Sequence, residues 1–207
     1  MPADRSATAV ACLGLGALGA PMAANLLQAG YAVTVFNRDP SRCEPLVAAG
    51  ARAVASPAEA AAAAEVLLVC VSDDPAVEAV LLGSASVSGF RTDLTESANT
   101  TGTAAVHGLR PGSLVIDCST IGPATSRRLA AALATREVRY IDAPVTGGTE
   151  GARAGSLSVL VGGEAADLER ARPLLEVIGG RITHFGPVGA GQEAKAVNQV
   201  LVAGSYA

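Results

Sequence analysis

The sequence predicts an α/β protein built on a doubly wound, mostly parallel sheet. Three observations carry this. The chain repeats a rhythm of short apolar run, glycine or polar turn, helical segment and next apolar run. Its clearest strand, residues 66–71 (VLLVCV), is apolar without a break, as expected of a strand covered by helices on both faces. Half of the 207 residues are hydrophobic, 16% are charged and 3% are aromatic, so there is ample apolar area for a core of Ala, Val, Leu and Ile.

Taken in order, residues 9–13 form a short apolar strand that ends in glycines. Residues 21–29 have helix composition and stop at Gly30, a residue suited to the position after a helix end. Residues 31–36 (YAVTVF) are β-branched and aromatic, and read as a strand. A helix over 42–49 is stopped by Gly50. Ser56-Pro57-Ala58-Glu59 combines an N-cap, a first-turn proline and a capping-box glutamate ahead of an alanine run. After strand 66–71, Asp74-Pro75 opens another helix. Strands at 114–117 and 140–145 flank a helix over 123–135. A strand near 158–161, a helix over 165–178 and a short strand near Ile182 follow. A last helix starts near Ala190 and carries Val197, Val200, Leu201 and Gly204 on a broad apolar face. Residues 83–102 break the rhythm; rich in Ser, Thr and Gly, they read as an exposed, partly disordered loop.

Composition also narrows the function classes. A net charge of −4 and a pI near 5.2 argue against nucleic acid as a partner. The densest apolar stretch, 60–71, contains Glu65, and no run reaches the roughly 18 uncharged residues of a membrane span. The first eight residues lack the apolar core of a secretion signal. Cys12, Cys43, Cys70 and Cys118 form no CxxC pair, and three of them sit in strand-like runs as small hydrophobes. A reducing cytoplasmic location is the expectation, with an organelle left open. With only His107 and His184 and no Cys/His/Asp cluster, a bound catalytic metal is not expected.

Four patterns carry chemistry. In Gly14-Leu15-Gly16-Ala17-Leu18-Gly19, the first glycine permits a tight turn, the second lets backbone approach a pyrophosphate, and the third lets helix pack on strand. A bare GxGxxG also fits an ordinary glycine-rich loop. Here it follows a strand, opens a helix and precedes a second strand that ends about twenty residues on, which points to a Rossmann-type dinucleotide site. At the end of that second strand, Asn37-Arg38 replaces the acidic residue of an NAD site. An arginine can pair with a 2′-phosphate that a carboxylate would repel, so the cofactor expected is NADP, with NAD possible; the alternative is a solvated arginine. In 189–198 (GAGQEAKAVN), Lys195 and Asn198 share one helix face. An ammonium there could move a proton and stabilise alkoxide character, although a lone helical lysine is ordinarily a surface charge. Finally, Thr146-Gly147-Gly148 follows a strand at the edge where open α/β sheets bind ligands, and offers a hydroxyl and N–H groups to a carboxylate; it also fits a plain glycine turn.

Together these motifs resemble the β-hydroxyacid dehydrogenase family over nearly the whole chain. Residues 14–30 resemble its cofactor signature, with Leu18 where Met is usual. Residues 142–157 resemble its substrate signature, with Thr146 where Ser is common, and 189–198 resemble its catalytic signature. The resemblance implies Lys195 as catalytic acid/base, with Thr146, Gly147 and Gly148 on the substrate carboxylate and Asn198 orienting the substrate. It places Val71 and Ser72 over the cofactor and Thr120 near the nicotinamide ribose. The implied reaction is reversible hydride transfer between NADP(H) and a small 3-hydroxy or semialdehyde acid, such as 3-hydroxyisobutyrate or tartronate semialdehyde.

Two departures bear on that expectation. The 83–102 segment is longer than the family's loop there. The family also continues past the lysine helix into an all-α domain that closes the cleft and forms a homo-oligomer interface, whereas this sequence runs to Ala207. The expected organisation is a dinucleotide-binding domain over 1–188 and, over 189–207, the start of a long interdomain helix. The alternative reading is a truncated, non-catalytic dinucleotide-binding or interaction module.

Overall fold

The computed structural model describes residues 8–83 and 103–205. The strands are β1 (Ala9–Leu13), β2 (Ala32–Phe36), β3 (Arg52–Ala53), β4 (Val66–Val69), β5 (Leu114–Asp117), β6 (Arg139–Asp142), β7 (Val145–Thr146), β8 (Leu157–Gly162) and β9 (Gly179–Gly186). The helices are α1 (Gly19–Gln28), α2 (Glu44–Ala48), α3 (Pro57–Ala62), α4 (Asp74–Leu81), α5 (Pro123–Ala134), α6 (Gly148–Ala154), α7 (Ala165–Ile178) and α8 (Ala190–Ser205). The chain is thus a Rossmann-like α/β fold. Its parallel part has the order β3-β2-β1-β4-β5-β6. Strand order reverses between β1 and β4, which opens a crevice at their C-terminal ends.

Why these strands are apolar throughout follows from the two faces. Val10 and Cys12 of β1, Val66 and Leu68 of β4, and Leu114 and Ile116 of β5 join a core under α1, α6 and α7. Their alternates Ala11, Leu13, Leu67, Val69 and Val115 join a second core under α3, α4 and α5. With period-two alternation and helices on both sides, every position of β4 and β5 is buried, as is β1 beyond Ala9. Among the described residues no helix is long and apolar enough to cross a membrane.

Several boundaries differ from the sequence reading, each for a local reason. Strand 66–71 stops at Val69, because the Val71 N–H turns to the Ser119 hydroxyl instead of a neighbouring strand. The helix over 42–49 divides into a 3₁₀ turn, Pro40–Cys43, and α2, because Pro45 fits only a helix start. The helix read as opening at Asp74 does begin there, with Asp73 as its cap accepting from Ala76 N–H at 2.9 Å.

The strand over 140–145 is broken at Ala143-Pro144. β6 ends at Asp142, and β7 then pairs antiparallel with β8, itself antiparallel to β6. The strand near Ile182 is the eight-residue β9, parallel to β8. The glycine turn after Thr146 leads directly into α6, which composition did not suggest. Residues 84–102, most of the segment read as a loop, lie outside the described residues.

Candidate functional site

The glycine loop sits at the crevice between β1 and β4. Gly14 has φ +90°, and a Cβ there would collide with the Cys70 carbonyl, so the turn requires glycine. A Cβ on Gly19 would likewise meet the Gly14 carbonyl, which lets α1 start hard against the loop. Gly16 faces open space, with nothing within 4 Å of where its Cβ would be. The N–H groups of Gly16, Ala17 and Leu18 have no partner among the described residues, and no side chain caps α1. Free donors at a helix N-terminus beside an open glycine fit the pyrophosphate of a dinucleotide.

This loop forms one wall of a cleft of about 810 Å³. The cleft brings together Gly14, Gly16, Ala17, Leu18, Asn37, Arg38, Val71 and Ser72. Leu15 and Gly19 belong to the loop without lining it: Leu15 points into the core, and its N–H donates to Asn37 Oδ1 at 2.9 Å. Asn37 Nδ2 in turn donates to the Asp39 carbonyl at 3.0 Å, so this amide pins the loop to the end of β2. Arg42, which sequence reasoning passed over, also lines the cleft, four residues beyond Arg38. The Asp39 carboxylate accepts from the Ser41 N–H and hydroxyl, and these bonds hold its pKa below the usual range.

The second cluster gathers around α8, outside that cleft. Asn198 Nδ2 approaches Thr146 Oγ1 at 3.4 Å, so the helix and the β7 end meet. Gly147 and Gly148 are exposed beside them with φ of +131° and +64°. Lys195, one turn before Asn198, is 6% exposed and has no hydrogen bond or ion pair among the described residues. Burial pulls its pKa below the ordinary lysine value. It is the one lysine among the fifteen Lys and Arg residues of the sequence. The position therefore holds the basic side chain able to lose its proton, where arginine is used everywhere else. Thr120 is exposed and lies outside the cleft lining.

What holds α8 in place was not legible from the motifs. Asp142, fully buried at the end of β6, accepts from Gly189 N–H at 2.7 Å and Gln192 N–H at 2.9 Å, and so caps α8 from another strand. Burial raises its pKa against the opposing effect of those bonds. Gly191 must be glycine, since a Cβ would strike the Leu160 carbonyl and come 2.8 Å from Asp142 Oδ2. Gln192 donates through Nε2 to the Ser119 carbonyl at 2.8 Å and accepts at Oε1 from Ile121 N–H at 3.2 Å. Asp117, beside Asp142 in register, takes bonds from Ser119 N–H and Tyr140 OH, yet burial pushes its pKa up to about 6. Arg127 of α5 pairs with Glu193 on the outer face of α8.

Among known proteins, the family described as the NAD binding domain of 6-phosphogluconate dehydrogenase matches residues 9–186. The NAD-dependent L-serine dehydrogenase of Pseudomonas aeruginosa is 43% identical over 194 residues, covering 94% of this chain and 59% of its own. The 3-hydroxyisobutyrate dehydrogenase of the same organism is 43% identical over 195 residues, with coverage of 94% and 59%. A solved structure of Mycobacterium tuberculosis 3-hydroxyisobutyrate dehydrogenase with L-serine aligns at TM-score 0.81 and 36% identity, over 95% of this chain and 60% of that one. The chain therefore spans about three fifths of the length of these relatives.

Proposed function

The chain belongs to the β-hydroxyacid dehydrogenase family, of which it carries the N-terminal NAD-binding domain, and from that premise we propose an NADP-dependent oxidoreductase acting on small 3-hydroxy acids or semialdehyde acids. One observation carries the reading. The sole lysine is buried without a partner among the described residues, one turn from an asparagine that reaches the Thr146 hydroxyl.

In this reading the free N–H groups of Gly16, Ala17 and Leu18 hold the pyrophosphate. Val71, Ser72 and Thr120 contact the rest of the cofactor. Arg38, with Arg42 beside it, pairs with a 2′-phosphate, while Asn37 is occupied in bracing the loop. The nicotinamide, when bound, supplies or takes the hydride. Thr146, Gly147, Gly148 and Asn198 hold and orient the substrate carboxylate. Lys195 gives its proton to the carbonyl oxygen during reduction and, neutral, takes the hydroxyl proton during oxidation. Burial favours its neutral form, which suits the second role. The choice among 3-hydroxyisobutyrate, tartronate semialdehyde and their relatives belongs to the same proposal, as does a homo-oligomer of the intact protein.

The test is turnover of short semialdehyde acids with NADPH by the protein in its natural length. Lys195→Ala should lower kcat about 10²- to 10⁴-fold while NADPH still binds. Cofactor binding without turnover would reject the reading in favour of a binding module, and turnover indifferent to Lys195→Ala would reject the role given to the lysine.

A further inference from the structure

We propose that Gln192 is a positioning residue which, through Ser119, forms a buried strut fixing the helix that carries Lys195 against the loop beside the cofactor cleft. The inference rests on the oxidoreductase reading above. Gln192 and Ser119 are each 1% exposed. Both ends of the Gln192 amide are used, on the Ser119 carbonyl at 2.8 Å and the Ile121 N–H at 3.2 Å. The Ser119 hydroxyl accepts from Val71 N–H at 3.0 Å, and Val71 lines the cleft between Cys70 and Ser72. A continuous run of bonds, half-buried at Val71 and buried from Ser119 onwards, thus joins the cleft wall to the first turn of α8. Its middle is braced by Asp117, which accepts from Ser119 N–H at 2.9 Å and from Tyr140 OH at 2.9 Å.

The residue type supports the role. A buried amide is costly unless its bonds are made, and an apolar side chain of the same volume would leave the buried Ile121 N–H and Ser119 carbonyl without their partner. Retaining glutamine here makes sense if direction matters as well as volume. Lys195 follows Gln192 by three residues on the same helix face, so a turn or tilt of this segment moves the ammonium with it. Asp142 grips the same turn through backbone N–H groups. Gln192 grips it through a side chain bonded to the loop at Ser119 and Ile121, and so constrains its rotation. A misplacement near 1 Å is enough to cost on the order of a hundredfold in rate.

Reductive ¹³C-methylation places a probe on Lys195 Nζ, its signal assigned by its loss in Lys195→Arg, and its titration is readable by NMR without turnover. In the wild-type chain the signal should titrate below the ordinary lysine value of 10.5. In Gln192→Met, which keeps the length and loses both bonds, it should move towards that value, with NADPH affinity kept within about threefold and kcat about ten- to a hundredfold lower. Gln192→Leu, which also loses both bonds and adds no charge, should shift the titration in the same direction and serves if the Met variant does not fold. Ser119→Ala should instead weaken NADPH binding while leaving the Lys195 titration in place. A folded, NADPH-binding Gln192 variant whose Lys195 titrates like wild type would overturn the strut. If the titration moves as expected but the wild-type protein turns over no hydroxy or semialdehyde acid, the strut stands and the oxidoreductase reading falls.

Discussion

Two stretches of the same sheet edge are built from different materials. Around β1, β2 and β4 the edge is mostly backbone: an open glycine loop, free helix N–H groups and exposed arginines, tied by contacts such as Leu15 N–H to Asn37. Around β5 and β6 it is mostly buried side chain: Asp117, Ser119, Asp142 and Gln192, with bonds between residues 47 to 73 apart in sequence. The first arrangement leaves polar groups unsatisfied for a ligand to claim. The second satisfies them internally and so has its geometry fixed before any ligand arrives, with a buried carboxylate as its energetic cost. The contrast suggests that the cleft is specialised for binding and the α8 edge for placement.

A pair of glycine substitutions should separate the two most sharply. Gly191→Ala drives a methyl into the Leu160 carbonyl and should destabilise the fold by about 3 kcal/mol in urea titrations. Gly16→Ala meets nothing within 4 Å, so stability should change by less than about 0.5 kcal/mol. Its methyl would stand where backbone must approach the pyrophosphate, and NADPH affinity should fall roughly tenfold or more by fluorescence titration. Equal stability losses in the two variants would erase the distinction.

Asp117 tests the cost of the buried side. Its pKa is about 6 when folded against 3.8 for the free side chain, so the native state binds the proton more tightly. That contribution to stability is fully present below pH 3.8 and is lost as pH rises to about 6. Stability of the wild type relative to Asp117→Asn should therefore fall across this window by on the order of 2–3 kcal/mol. A difference that stays flat with pH would show that the carboxylate is not under strain. The smallest effect belongs to the open side. Arg38→Asp should reduce the preference for NADPH over NADH about tenfold, with stability unchanged, because it removes an exposed cation and nothing in the core. The 43% identity to a protein named as NAD-dependent makes this measurement decisive for the cofactor.

How far each region could be read from the sequence follows the same division. The crevice loop is continuous in sequence, and its glycines answer local demands: a positive φ at Gly14 and close approach at Gly19. Its place between a strand and a helix and the charge at Arg38 could be stated from residues 9–38; the pairing of β1 with β4 could not. Lys195 and Asn198 could be paired by helical spacing, and their meeting with Thr146 came from resemblance. Asp142 was visible only as the first letter of a motif. Gln192 and Gly191 stand inside the 189–198 motif with no spacing or periodicity to mark what they contact. Arg42 went unnoticed because its place on the cleft depends on how the Pro40–Cys43 turn folds.

The sequence by itself determined the alternating βα order, the two-sided burial of the central strands, the glycine turn and the identity of the basic and polar groups near the edge. These rest on local conformational preference and on the period of apolar residues, both of which act over a few neighbours. Tertiary structure alone decided the break at Pro144, the reversal of β7 and β8, and the capping of α8 by a carboxylate from β6. It alone joined Val71 to Gln192 through Ser119. Those features come from buried polar groups that must find partners wherever the packed chain brings them, and such partners carry no periodic mark in the sequence.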